Sequence, residues 1–151
     1  MTTDDLRTRR LAVLEEHFAS EVDQEFDRTI ATFAGHPRYE IMATGQVYDG
    51  EEEVLAYHRA QRTAFPDQRH ENVRYHWADD SVVTEFDLLG TYLGEFYGLP
   101  PTGRTFRVPV IAVFFFDGDT SDRITNERIY LDAASVLTQI GRADLLALAG
   151  A

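Results

Sequence analysis

Residues 90–104 read GTYLGEFYGLPPTGR. An apolar strand breaks at Gly90, Gly94 and Gly98, crosses a Leu-Pro-Pro-Thr-Gly-Arg corner at 99–104, and re-enters a long apolar strand. Glycine inside a strand pattern marks a bulge or a close approach of backbone. A sheet built this way curves strongly, and a curved sheet can wrap a pocket.

Downstream, 106–116 is an apolar strand closed by Asp117-Gly118-Asp119, and 124–131 is a last strand. Upstream, 82–92 is a long strand and Asp79-Asp80 a hairpin turn. Residues 72–78 alternate, with Val73, Tyr75 and Trp77 on one face and Arg74 and His76 on the other. The N-terminal part has helical spacing instead. Leu11, Leu14, Phe18, Val22, Phe26, Ile30 and Phe33 recur every three or four residues, up to a stop at Gly35-His36-Pro37, with room for a kink in so long a segment. Short apolar pieces at 39–44 and 47–48 lead to an Asp49-Gly50 turn. A second helix follows over about 51–64, its acidic first turn matching the positive end of the helix dipole. A final helix at 133–140 ends at Gly141, and 142–149 can add a further turn or two. Helices, then antiparallel strands, then a short helix is an α+β order. With no linker and no repeat, residues 1–151 read as one domain.

Composition narrows the function. Of 151 residues 44 % are hydrophobic and 12 % aromatic, with ten Phe and seven Tyr, so a shaped apolar interior is available. The net charge of −12 repels nucleic acid and anionic membranes. Absence of Cys excludes disulfides, thiol nucleophiles and thiolate metal sites. The first residues lack a signal-peptide pattern and no segment has the apolar length of a membrane span, so a cytoplasmic location is expected. The five His, at 17, 36, 58, 70 and 76, show no close metal-ligand spacing, and no metal or cofactor is expected.

What remains is carboxylate, imidazole and phenol chemistry in an aromatic pocket. The last strand puts Arg128, Tyr130 and Asp132 on one face and Glu127, Ile129 and Leu131 on the other. Asp132 has two readings. Immediately before a helix, it is a favoured N-cap worth roughly 1 kcal/mol. Set against aromatic walls, it is a carboxyl with a raised pKa, usable as general acid or base. His58 shares a helix face with Val54 and Phe65, as a satisfied core imidazole or a pocket group. Glu40, Glu85 and Asp87 are either wet-face acids or cavity acids. Tyr57, Trp77, Phe96, Phe114 and Phe116 are core by default and candidate ligand walls, and Tyr39, Phe65 and Tyr130 are further candidates for binding substrate.

The segments Asp49-Gly50, Ala64-Phe65-Pro66-Asp67, 90–98 and 100–104, with the ending Tyr130-x-Asp132 and Leu137-x-Gln139-x-Gly141, resemble the SnoaL-like polyketide cyclases, or ester cyclases, of the NTF2-like superfamily. The likeness covers about 49–141. It implies an NTF2-like cone, a curved antiparallel sheet around a deep apolar pocket covered by N-terminal helices. It also implies homodimerisation through the outer sheet face. In the cyclases an Asp on the last strand acts as general acid/base in an intramolecular aldol closure, and Asp132 matches it. Tyr92 and Leu93 stand where members often carry His, and Arg128 where many carry Trp. The expectation is a cofactor-independent enzyme acting on a hydrophobic carbonyl compound. Asp132 abstracts a proton, Tyr92, Tyr130 or Arg128 donate to the enolate, and Tyr39, Tyr57, His58, Phe65, Trp77, Phe96 and Phe114 bind substrate. The alternatives are an epoxide-hydrolase-like hydrolase, with Glu40, Glu85 or Asp87 beside Arg128 and Asp132, and a non-catalytic binding or dimerisation module.

Overall fold

The computed structural model describes residues 2–149. The chain opens with α1 (Thr3–Asp23), whose start is fixed by a capping box between Thr2 and Asp5. Gln24 takes a left-handed conformation and stops the helix. The apolar period then resumes in α2 (Phe26–Ile30), so the long helical segment is two helices at an angle. A hairpin of β1 (Arg38–Ile41) and β2 (Gln46–Asp49) precedes α3 (Glu51–Ala64). The sheet strands β3 (Arg69–Trp77), β4 (Ser81–Thr91), β5 (Thr105–Phe116) and β6 (Ile124–Leu131) follow, then α4 (Ala133–Gln139) and α5 (Asp144–Ala149).

The six strands form one curved sheet in the order β2-β1-β6-β5-β4-β3. All pairings are antiparallel except β1 with β6. That parallel pairing places Tyr39 beside Glu127. The concave face carries Val82, Thr84 and Phe86 of β4 and the even residues from Phe106 to Phe116 of β5, all buried beneath α1 and α3. Two bulges reset the alternation. In β3 the register shifts between Glu71 and Arg74, with Asn72 at φ 57°, so His70 and Val73 both turn inward. In β6 the register shifts opposite Phe115 and Phe116. Ile124 is therefore inward, and Glu127, Ile129 and Leu131 are inward as well. A bulge bends its strand and increases the local twist, which here closes the sheet over the cavity.

The 90–104 segment does what its glycines suggest. Leu93 and Gly94 donate their backbone N–H groups to the Ala64 carbonyl, clamping the end of α3. A Cβ on Gly94 would lie 1.9 Å from the Thr63 carbonyl oxygen, a backbone atom that cannot swing away. Gly94→Ala should therefore cost at least about 3 kcal/mol, the upper part of the overpacking range, read as a lower urea midpoint. The Pro-Pro-Thr-Gly-Arg corner docks on the end of α4 through Thr102 to the Ile140 carbonyl and Arg142 to the Pro100 carbonyl. Gln139 completes the attachment. Its side chain accepts from Arg107 N and donates to Arg107 O, standing in for a missing strand neighbour on β5.

Candidate active site

Between α1, α3 and the concave face lies a two-part cavity. The outer chamber, about 160 Å3, is walled by Phe65, Phe96, Phe106, Leu131, Val136 and Leu137. The inner chamber, about 50 Å3, is lined at its blind end by Glu21, Tyr39, His58, Arg62, His70 and Glu127. Tyr57, Gln61, Gln68, Leu88 and Leu131 line both chambers, so the two adjoin. Tyr48, Tyr57, Phe96 and Tyr97 also border a groove on the surface, which is the mouth.

The polar end is assembled from five elements. His17 and Glu21 are one turn apart on α1, on the same side as Leu14 and Phe18, and all four are buried. Helix α3 supplies His58 and Arg62 by the same spacing. Tyr39 comes from β1, His70 from β3 and Glu127 from β6. His17 Nε2 lies 3.1 Å from Glu21 Oε1, 3.0 Å from Glu127 Oε2 and 3.0 Å from the Tyr39 hydroxyl. Tyr39 donates to Glu21 Oε1 at 3.1 Å, and His58 Nε2 lies 3.1 Å from the same hydroxyl.

The protonation of His17 follows from its other nitrogen. The Thr32 hydroxyl donates to the Thr29 carbonyl at 2.6 Å, so toward His17 Nδ1 at 2.9 Å it can only accept. Nδ1 therefore carries a hydrogen. Nε2, facing two carboxylates, is stable there only with a hydrogen of its own or a cation in its place. Burial opposes an imidazolium, but Glu21 and Glu127 outweigh burial and raise the His17 pKa to about 10. Burial also opposes a Glu21 carboxylate, yet His17 holds it well below the usual range. Glu127 differs, because burial dominates and its carboxyl is raised. Burial likewise pushes His58 down to about 4, leaving it neutral, and raises the phenols of Tyr39 and Tyr57. The ligand atoms of His17, Glu21 and Glu127 lie within 4.8 Å of one another and could hold a divalent cation. The Nε2 proton occupies that place in the ion-paired form.

Of the residues singled out from the sequence, Tyr39, Tyr57 and His58 line the inner chamber and Phe65 and Phe96 the outer one. The others lie elsewhere. Asp132 is exposed, on the outer side of the sheet, and caps α4 by accepting from Ser135 N at 3.0 Å. Beside this cap it lines an open pocket of about 600 Å3 with Tyr130, Glu85 and Asp87, separate from the two chambers. Arg128 and Tyr130 share that outer face. Arg128 pairs with Glu40 at 3.1 Å and stacks over Phe115, while Tyr130 is 43 % exposed. Tyr92 is buried but donates its hydroxyl to the Leu99 carbonyl at 2.9 Å, away from the chamber. Trp77 stacks with Tyr75 beneath Arg7, and Phe114 is core packing against His17 and Phe18. Glu85 and Asp87 bond His76 and Arg107 on the outer face and line the same pocket as Asp132, a pocket whose lining does not include Arg128. Removing the Asp132 side chain with Asp132→Ala should cost about 1 kcal/mol in urea unfolding and leave the chamber unaltered.

His17, Glu21, Arg62, His70 and Glu127 were not singled out. The signal for three of them is in the sequence. His17 and Glu21 interrupt the apolar stripe of the first helix, and Arg62 sits one turn beyond His58 on the buried stripe of α3.

A family profile of SnoaL-like polyketide cyclases matches residues 8–140. No match is found among curated proteins. Among solved structures, a SnoaL-like polyketide cyclase candidate from Jannaschia sp. CCS1 superposes with a TM-score of 0.75 at 25 % identity, covering 88 % of this chain and 92 % of that one. A protein with a ketosteroid isomerase-like fold from Catenulispora acidiphila, in complex with trimethylamine, gives 0.72 at 22 %, covering 87 % and 95 %. A phenazine biosynthesis-related protein from Pseudomonas aeruginosa gives 0.73 at 17 %, covering 91 % and 88 %. The latter two likenesses concern the fold alone. Among the described residues no helix is long and apolar enough to cross a membrane. With the profile match spanning nearly all of a cone whose chamber ends in buried acids, phenols and imidazoles, the chain belongs to the SnoaL-like polyketide cyclase family.

Proposed function

We propose that the chain is a cofactor-independent acid–base enzyme of the cyclase or isomerase type, acting on a hydrophobic carbonyl compound held in the two-part chamber. The observation that carries this reading is Glu127, a buried carboxyl with a raised pKa at the blind end of an apolar cavity. A carboxylate so placed is a stronger base than one in water.

Glu127 takes a proton from the carbon next to the substrate carbonyl, breaking the C–H bond and leaving an enolate. The phenols of Tyr39 and Tyr57 border the same chamber and can donate to the developing oxyanion. The enolate carbon then either attacks a second carbonyl of the same molecule, forming the C–C bond of an aldol closure, or is reprotonated at a new position. In both cases the Glu127 proton is returned. Charged His17 holds Glu127 in place and limits how far its pKa rises. Glu21 balances His17 without taking part in the transfer.

Asp132 carries no step in this scheme, because its carboxylate is on the other side of the sheet. The outer face, with Ile111 and Tyr130 both about two-fifths exposed, is the surface a second copy would cover if the family's dimer forms here. The test is exchange of α-protons into D2O, followed by NMR, on a panel of one- and two-ring ketones such as 2-tetralone. Exchange catalysed by the wild type and abolished in Glu127→Gln is expected. Exchange unaffected by that substitution would remove Glu127 as the base.

A further inference from the structure

Arg62 is buried, 5 % exposed, and lines the inner chamber. Its Nη1 donates to the Gln68 carbonyl at 3.2 Å, and its Nε is buried with no partner. Among the described residues no carboxylate forms an ion pair with it. Opposite stands His70, whose Nε2 is 3.3 Å from Glu21 Oε2 and whose Nδ1 is also buried without a partner. The nearby carboxylates are engaged elsewhere: Glu21 meets His17 and His70, Glu127 meets His17, and the Arg62 Nε is left without a hydrogen-bond partner. An unpaired buried guanidinium is unfavourable unless an anion arrives to meet it.

The shape says which anion. A guanidinium matches a carboxylate with two parallel hydrogen bonds. The inner chamber, about 50 Å3, has room for a group of about two or three heavy atoms. The outer chamber, about 160 Å3 and walled by Phe, Leu and Val, is of the size that holds a benzene ring. The groove at the mouth gives a longer body somewhere to run.

We propose that the ligand is a monocarboxylic acid with an apolar one- or two-ring body, its carboxylate seated on Arg62 beside His70. The inference rests on the reading of this chamber as the substrate site and names the substrate class as keto acids rather than esters.

The test uses 2-naphthylacetate and its methyl ester as probes, titrated calorimetrically against the wild type and Arg62→Met. The acid is expected to bind at least tenfold more tightly than the ester to the wild type. In Arg62→Met that preference disappears. Equal affinities in the wild type, a preference that survives Arg62→Met, or no saturable binding of the acid at millimolar concentration would overturn the proposal. Should Arg62→Met not fold, Arg62→Lys keeps the charge but loses the two-point fit, and a smaller but surviving preference is expected. A preference unchanged in Arg62→Lys counts against the bidentate seat. The acid–base reading fails separately: α-proton exchange that persists in Glu127→Gln sinks that reading and leaves the acid preference standing.

Discussion

In His17→Gln the free energy of unfolding at pH 7 falls by about 3–5 kcal/mol, the usual cost of removing one partner from a buried ion pair. The loss is large because Glu21 and Glu127 both remain, buried and close together, with no imidazolium between them. The double variant His17→Gln/Glu21→Gln regains a good part of it, since a neutral pair replaces a lone charge; a double-mutant cycle in urea measures the coupling. The pH dependence has a definite sign. His17 is raised from 6.5 to about 10, so its contribution is fully present below pH 6.5 and is lost as pH climbs toward 10. Glu127, also raised, contributes stability that is lost as pH rises above its ordinary value of 4.5. On the acid side His58, depressed to about 4, costs stability as pH falls from 6.5, and Glu21, held low, adds to that loss below about 4.5. The two histidines together favour a stability maximum near pH 6.5. Thermal midpoints in the wild type should decline on the alkaline side, and most of that decline should vanish in His17→Gln. A midpoint that rises between pH 7 and 10 would show that His17 is not charged.

Glu127→Gln has the opposite character. The exchange rate drops by roughly 10²–10⁴-fold, the range expected for loss of a general base. The fold persists, because the substitution leaves His17 and Glu21 as a neutral pair and removes a carboxyl whose burial was unfavourable. Matched unfolding curves with a collapsed rate separate a lost base from a lost fold. Equal losses in both would assign Glu127 to structure alone.

Much of the architecture is legible in the residues. Helix α3 and strand β6 run between the ends their patterns mark, and the 90–104 segment forms the tight clamp its glycines suggest. Which face of the last strand meets the chamber is not legible. Counted in twos from the buried Ile124, the inner residues would be 126, 128, 130 and 132. An extra residue opposite Phe115 and Phe116 reverses the count, so Glu127 faces the chamber and Asp132 the outside. A one-residue shift exchanges the faces of a strand completely, and nothing in Thr-Asn-Glu-Arg marks the bulge. The same holds for His70, which strict alternation from Val73 would place in solvent. By contrast His17, Glu21 and Arg62 were within reach, since helical spacing puts them on apolar stripes where a polar residue calls for a partner.

The contact between His17 and Glu127 joins residues 110 apart in the chain. A protein made from its N-terminus has α1 long before β6. Until the last strand is paired, the inward side of α1 offers two charged groups in the middle of its apolar stripe, met by each other and by Thr32, Tyr39, His58 and His70 but not by Glu127. Desolvating them early is unfavourable, so the helix gains its full grip only when the sheet is finished. The contact ties the first helix to the last strand, so a chain stopped before β6 is expected to hold its N-terminal helix less firmly, read as faster amide exchange in α1.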